Sequence, residues 1–253
     1  MNLKNGILAF GCSFTWGEGL YYYSDLPNLP FSEYHEYNES DMTEEMISFK
    51  NKHRYLNLVS NDLNIPYDYA FDNSNGGSTI GSFLSYNNSI FDKDYSKIKY
   101  IIWQTSAPER EWSTFPLLKS GINDTFYFMT DEDHMEYFNM EIKRQLMFMH
   151  KRILEFESMG CDVIIFNWCK DYPDHPYYNK HFKKYHLPLI VEGNSYNSFD
   201  TIHDNEYLNE KYTISGDFLD RGLQKNDTHF NLKGQRMIAD NIINRIKQLS
   251  IKK

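Results

Sequence analysis

The order of apolar patterns along this 253-residue chain predicts an α/β fold with a parallel sheet covered by helices on both faces. Three observations carry that expectation. Continuous apolar runs of strand length lie at 6–10, 98–103 and 161–168, as strands buried on both faces require. Stripes with helical spacing lie between them. Glycines stand at the junctions, at Gly11, at Gly76-Gly77 and at Gly160.

Taken in order, residues 6–10 form a strand that stops at Gly11 and enters a tight turn. Between 52 and 63, Tyr55, Leu56, Val59 and Leu63 recur as on one helix face, and Ile65, Tyr67 and Tyr69 then alternate as a second strand. That strand runs into Asn75-Gly76-Gly77-Ser78, after which Ile80, Phe83, Leu84 and Phe91 give a weaker helical pattern. Residues 98–103 make a third strand. Phe138, Ile142, Leu146, Met149, Ile153 and Phe156 stripe a helix over 135–159 that Gly160 ends. Residues 161–168 make a fourth strand and 187–191 a fifth, and Met237, Ile238, Ile242, Ile246 and Leu249 stripe a C-terminal helix. Stretches at about 17–50, 105–134 and 169–215 fall outside the pattern. They are read as insertions in a single domain spanning 1–253, of a length commoner in binding lids than in plain linkers.

Composition narrows the function classes. With 26 Lys and Arg against 35 Asp and Glu, the net charge of -9 disfavours the broad phosphate-neutralising surface that nucleic-acid binding needs. The apolar run near the start is too short for a secretory signal, and no stretch approaches the roughly 20 apolar residues of a membrane span, so a cytoplasmic chain without membrane partners is expected. Cys12, Cys161 and Cys169 contain no C-x-x-C pair, so neither a disulfide framework nor a zinc site is signalled, and the two later cysteines read as small buried hydrophobes. No metal or organic cofactor is expected.

In an open parallel sheet, ligands bind beyond the carboxyl ends of the strands. The residues there are Gly11-Cys12-Ser13-Phe14-Thr15, Asn75-Gly76-Gly77, Gln104-Thr105-Ser106 and, before the last helix, Asp227-Thr228-His229. A serine hydroxyl needs a base to take its proton as it attacks a carbonyl; His229, oriented by Asp227, is the candidate. The oxyanion that follows needs donors, for which the backbone N–H groups of Ser13 and Gly77 and a side chain from Gln104 or Ser106 are available.

Phe10-Gly11-Cys12-Ser13-Phe14-Thr15-Trp16-Gly17 resembles the first block of the SGNH (GDSL-like) hydrolases in a G-x-S-F-T form. Asn75-Gly76-Gly77 resembles their second block and Asp227-Thr228-His229-Phe230-Asn231-Leu232-Lys233-Gly234 their last, in family order. The resemblance implies a flavodoxin-like three-layer α/β/α sandwich with about five parallel strands. It also implies serine-dependent hydrolysis of a carboxylic ester through an acyl-enzyme, with a small acyl group such as acetyl on a carbohydrate within the family's range. The chain departs from the family twice. Trp103-Gln104-Thr105-Ser106-Ala107 replaces the usual G-x-N-D, leaving Gln104 and Ser106 as alternatives for the missing asparagine, and Asp227 and His229 stand two residues apart where three is commoner.

Competing readings accompany each feature. Asp227 or Asn226 can cap the last helix, and Gly76-Gly77 can be a plain turn. Trp16 and Trp112 can wall a substrate pocket, whereas Trp103 and Trp168 read as core. Arg110 can hold an anionic substrate group or form a surface ion pair, and His175, His181 and His186 read as solvated loop residues. An O-acyltransferase would use the same residues, and a lapsed binding module would explain the lost asparagine.

Overall fold

The computed structural model describes residues 5–17, 19–24, 42–70, 78–88, 95–112, 131–218 and 229–251. The chain runs β1 (Gly6–Phe10), α1 (Ser13–Trp16), a 3-10 turn (Leu20–Tyr23), α2 (Glu44–His53), α3 (Tyr55–Leu63), β2 (Tyr67–Ala70), α4 (Thr79–Asn88), a second 3-10 turn (Tyr95–Lys97), β3 (Ile98–Thr105), α5 (Pro108–Trp112) and α6 (Asp131–Ser158). It continues through β4 (Asp162–Asn167), α7 (Asp171–Asp174), α8 (Pro176–His181), β5 (Leu189–Val191), β6 (Asn194–Tyr196), α9 (Phe199–His203), α10 (Glu206–Tyr212), α11 (Ile214–Phe218) and α12 (Leu232–Ile251).

Four strands pair in parallel in the order β2-β1-β3-β4. Because side chains alternate along a strand, each strand feeds two cores. Ile7, Ala9, Ile102, Ile164 and Phe166 pack with α3 and α12 on one face. Leu8, Phe10, Ile101, Trp103, Val163 and Ile165 pack with α4 and α6 on the other. Both faces are therefore dry, which is why these strands read as unbroken apolar runs. Order reverses between β1 and β3, so the crevice beyond their carboxyl ends is where a ligand would enter. Phe10 lies opposite Trp103 in that pairing, so the turn after β1 abuts Gln104.

Two expectations are corrected. The fifth parallel strand is absent among the described residues: β5 pairs antiparallel with β6, and only the single bridges Ile165–His186 and Asn167–Ser198 touch β4. Pro188 offers no N–H to a ladder, and Glu192 and Gly193 both take positive φ (50° and 82°), the geometry of a tight hairpin turn. The helix expected over 52–63 is α3, which starts at Tyr55 because Arg54, whose ψ of 148° is extended, separates it from α2. Of the presumed insertions, 169–215 holds α7 to α11 and the hairpin. His175, His181 and His186 are half-buried there rather than solvated: His175 caps α8 by accepting from Tyr177 N, His181 packs on Tyr177, and Tyr178 and Asn167 flank His186. Cys161 and Cys169 are buried and free, as expected. Among the described residues no helix is long and apolar enough to cross a membrane.

Candidate active site

Ser13 is the first residue of α1, directly beyond β1. The turn that carries it is gripped from β3. Gln104 Oε1 accepts from Cys12 N at 3.3 Å and from Thr15 Oγ1 at 2.8 Å, while Gln104 Nε2 donates to Thr105 O at 2.9 Å and to Cys12 Sγ at 3.0 Å. Thr15 Oγ1 also meets Tyr55 Oη of α3 at 2.8 Å. Gln104, Thr15 and Tyr55 are all fully buried, so these bonds are unshared with water and fix the turn. Gly11 is required by space: a Cβ there would stand 1.9 Å from Thr15 Oγ1 and 2.9 Å from Gln104 Oε1. Burial pushes the Cys12 thiol up, against smaller opposing effects that include the charge of Arg110, so the cysteine beside Ser13 stays a neutral packing group.

His229 arrives from the other end of the chain. Its Nε2 lies 2.9 Å from Ser13 Oγ, across 216 positions of sequence. The imidazole packs on the Phe14 ring at 4.7 Å between centroids. Backbone pairing holds this segment: Ile214 N donates to His229 O at 2.8 Å, Asn231 N donates to Tyr212 O at 3.0 Å, and Thr213 bridges Phe230. Asn231 then caps α12, its Oδ1 accepting from Gly234 N at 2.9 Å. Gly234 lets the helix close on this segment, since a Cβ would stand 2.5 Å from Tyr212 O. Gln235 Oε1 accepts from Tyr55 N at 2.9 Å, which ties α12 to the helix whose Tyr55 supports Thr15.

The remaining candidates divide. Asp227 and Gly77 lie outside the described residues, as does the Trp112 side chain. Gln104 and Ser106 are at the site's edge, but their hydrogens are already turned to acceptors: Gln104 as above, and Ser106 Oγ donating to Glu111 Oε1. Either would have to break those bonds to serve an oxyanion. Trp16 is buried with Tyr21, Tyr22, Met42, Met46 and Ile214 under the fully buried Lys50, whose Nζ sits 3.4 Å from the ring centroid. It packs rather than walls an open pocket. Arg110, on α5 beyond β3, is half-buried and its charge acts on Cys12. The N–H of Ser13 has no acceptor among the described residues, as befits the first turn of a helix.

The sequence reasoning missed Tyr55 as a polar support and Glu111 altogether. Tyr55 stood on an apolar stripe and was read only as core. Glu111 lay in a charged Pro-Glu-Arg-Glu run that looks like solvated surface, yet it is buried. Among the described residues no group of three His, Cys, Asp or Glu side chains gathers as metal ligands would.

No family model matches the chain, and no curated protein matches it. One solved structure is similar at a TM-score of 0.45 and 16% identity, covering 97% of this chain and 69% of that one; it is a carbohydrate esterase whose active site displays divergent catalytic and non-catalytic binding functions. A likeness that slight carries no argument about fold or chemistry.

Proposed function

We propose that this protein is a serine-dependent carboxylic ester hydrolase of the SGNH type, acting through an acyl-enzyme on Ser13. The observation that carries the reading is the 2.9 Å approach of His229 Nε2 to Ser13 Oγ from opposite ends of the chain. Neither residue type is unusual alone, but a hydroxyl and an imidazole in hydrogen-bond contact beyond the carboxyl end of a central parallel strand form a nucleophile and its base.

In the mechanism, Ser13 Oγ attacks the ester carbonyl carbon as its proton passes to His229 Nε2. The charge that develops on the carbonyl oxygen is met by the N–H of Ser13, and Gly77, from the block that resembles the family's second, is the candidate for a further donor. Collapse expels the alcohol, which takes the proton from His229, and leaves the acyl group on Ser13. Water, deprotonated by the same imidazole, then attacks the acyl carbon, and collapse releases the acid as the bond to Ser13 Oγ breaks and the serine takes its proton back from His229. Asp227 is the candidate to orient the imidazole and to stabilise it when charged. Gln104 acts here as the side chain that shapes the Ser13 turn, and Arg110 is the candidate to hold an anionic group on the substrate. A small acyl ester, such as acetyl on a carbohydrate, is the substrate class that the sequence resemblance suggests.

The test is turnover of p-nitrophenyl acetate and butyrate by the wild type beside Ser13→Ala, with fluorophosphonate labelling mapped by mass spectrometry. Turnover that falls by roughly a thousandfold or more in the variant, with label on Ser13, is expected. A stoichiometric burst without turnover would replace the hydrolase with an acyltransferase. Absence of both label and turnover would overturn the reading.

A further inference from the structure

The carboxylate of Glu111 is buried beside the site and takes no part in the chemistry above. It reaches from α5 to the end of β3 and to the start of α4. Oε1 accepts from Ser106 Oγ, just beyond β3, and from Thr79 N at 3.0 Å; Oε2 accepts from Ser78 Oγ at 2.5 Å and from Ile80 N at 2.9 Å, at the start of α4. Each oxygen therefore holds two donors. The first two N–H groups of α4, which a helix leaves without internal partners, end on this one group, and the third, Gly81 N, ends on Ser78 Oγ at 2.8 Å.

The same first turn of α4 is bonded onward to the nucleophile turn. Ser82 Oγ shares its one hydrogen between Ser78 O at 2.8 Å and Gly11 O at 3.1 Å, and Thr79 Oγ1 donates to Gln104 O at 2.8 Å. Gly11 is two residues from Ser13, and Gln104 carries the amide that holds Cys12 and Thr15. A continuous path of hydrogen bonds thus joins Glu111 to both supports of Ser13.

We propose that Glu111 is a positioning residue for the Ser13 nucleophile: its carboxylate clamps the start of α4 to the end of β3, and α4 passes that constraint to Gly11 and Gln104. The role rests on the esterase reading above. Four donors meeting one carboxylate fit its ionised form, and helix N-terminal N–H groups favour negative charge. Burial opposes this by pushing the Glu111 carboxyl up, and the four hydrogen bonds pull it back in part. A glutamine would accept with one atom only and face the remaining donors with an N–H₂ group.

Glu111→Gln tests the proposal. Active sites are first counted by fluorophosphonate titration, and kcat per titrated site is then measured on p-nitrophenyl acetate at a temperature where circular dichroism shows the variant folded. A fall in kcat per site of roughly 10- to 100-fold, with KM changed less than about threefold, is expected of a displaced nucleophile. A merely structural role lowers the number of titratable sites and leaves kcat per site unchanged; that result overturns the proposal. Should Glu111→Gln fail to fold, Ser78→Ala and Ser106→Ala each remove one of the four bonds and are expected to lower kcat per site about three- to tenfold; wild-type values in both overturn it as well. A wild-type protein that neither labels nor turns over overturns the esterase reading first, and this role with it.

Discussion

Around Ser13 the chain is gripped by side chains from neighbouring elements, Gln104 of β3 and Tyr55 of α3 through Thr15, all fully buried. Around His229 it is gripped by backbone, through Ile214 N to His229 O and Asn231 N to Tyr212 O, with one side-chain cap at Asn231. On the proposed mechanism, the difference follows from what each partner must do. A nucleophile attacks along one line and loses rate when displaced, whereas an imidazole must pivot between the serine, the leaving alcohol and water. Side-chain grips from a rigid sheet suit the first task, and a short backbone ladder that leaves the ring half-exposed suits the second.

The comparison breaks if either partner can be spared. His229→Ala removes the base and leaves the backbone ladder in place, so kcat/KM for p-nitrophenyl acetate is expected to fall by roughly a thousandfold or more while the melting temperature moves little. Near-wild-type activity would take His229 out of the mechanism. Gln104→Leu comes next in size. It keeps the volume but orphans Cys12 N and strips Thr15 Oγ1 of an acceptor, so a loss of about 2 kcal/mol in urea unfolding is expected. With it, kcat should fall by roughly ten- to a hundredfold. If stability falls and kcat does not, the grip on the nucleophile turn serves folding alone.

The three-layer packing and both ends of the site were legible in the sequence, because burial on two faces writes an unmistakable pattern and close approaches demand glycine. Gly11 and Gly234, which stood out as parts of the two terminal motifs, are the positions where a Cβ would collide with Gln104 and Thr15 or with Tyr212 O and Phe230. The supports were not legible. Glu111 and Lys50 are buried polar groups, and polar residues are read as surface until tertiary contacts show otherwise, while Gln104 stood out as a candidate oxyanion donor and not as the grip on Cys12 and Thr15. The β5–β6 hairpin was misread because Leu189-Ile190-Val191 looks like a core strand, and only the Glu-Gly pair after it marked a reversal. Asp227 and Gly77 were singled out by motif and lie outside the described residues.

On the base side a smaller effect is expected from Asn231→Ala, which removes the α12 cap and the Nδ2 bond to Lys211 O. The cap is worth about 1 kcal/mol. Because the His229 backbone bond to Ile214 remains, kcat should fall only about two- to fivefold, less than in Gln104→Leu. A larger loss than Gln104→Leu would reverse the contrast between the two sides.

The smallest effect sharpens the nucleophile side by following its bonds outward. Gln104 donates to Thr105 O, Thr105 Oγ1 donates to Asn167 Oδ1 at 3.1 Å, and Asn167 Nδ2 lies 2.9 Å from Tyr178 Oη and 3.2 Å from His186 Nδ1. Burial lowers the affinity of His186 for a proton from its ordinary value of 6.5, with the charge of Arg245 acting in the same direction and Asn197 opposing. A histidine depressed in the folded state binds a proton more readily once unfolded. Its contribution to stability is thus complete above about pH 6.5 and is lost as pH falls through the folded value. Melting temperature should accordingly decline below about pH 6.5, and His186→Gln should flatten that part of the profile while leaving the neutral-pH rate within about twofold. Because the chain of bonds ends at Gln104 and not at the His229 ladder, the acid-side decline should be shared by His229→Ala. An unchanged slope in His186→Gln would mean that other groups set the acid limit.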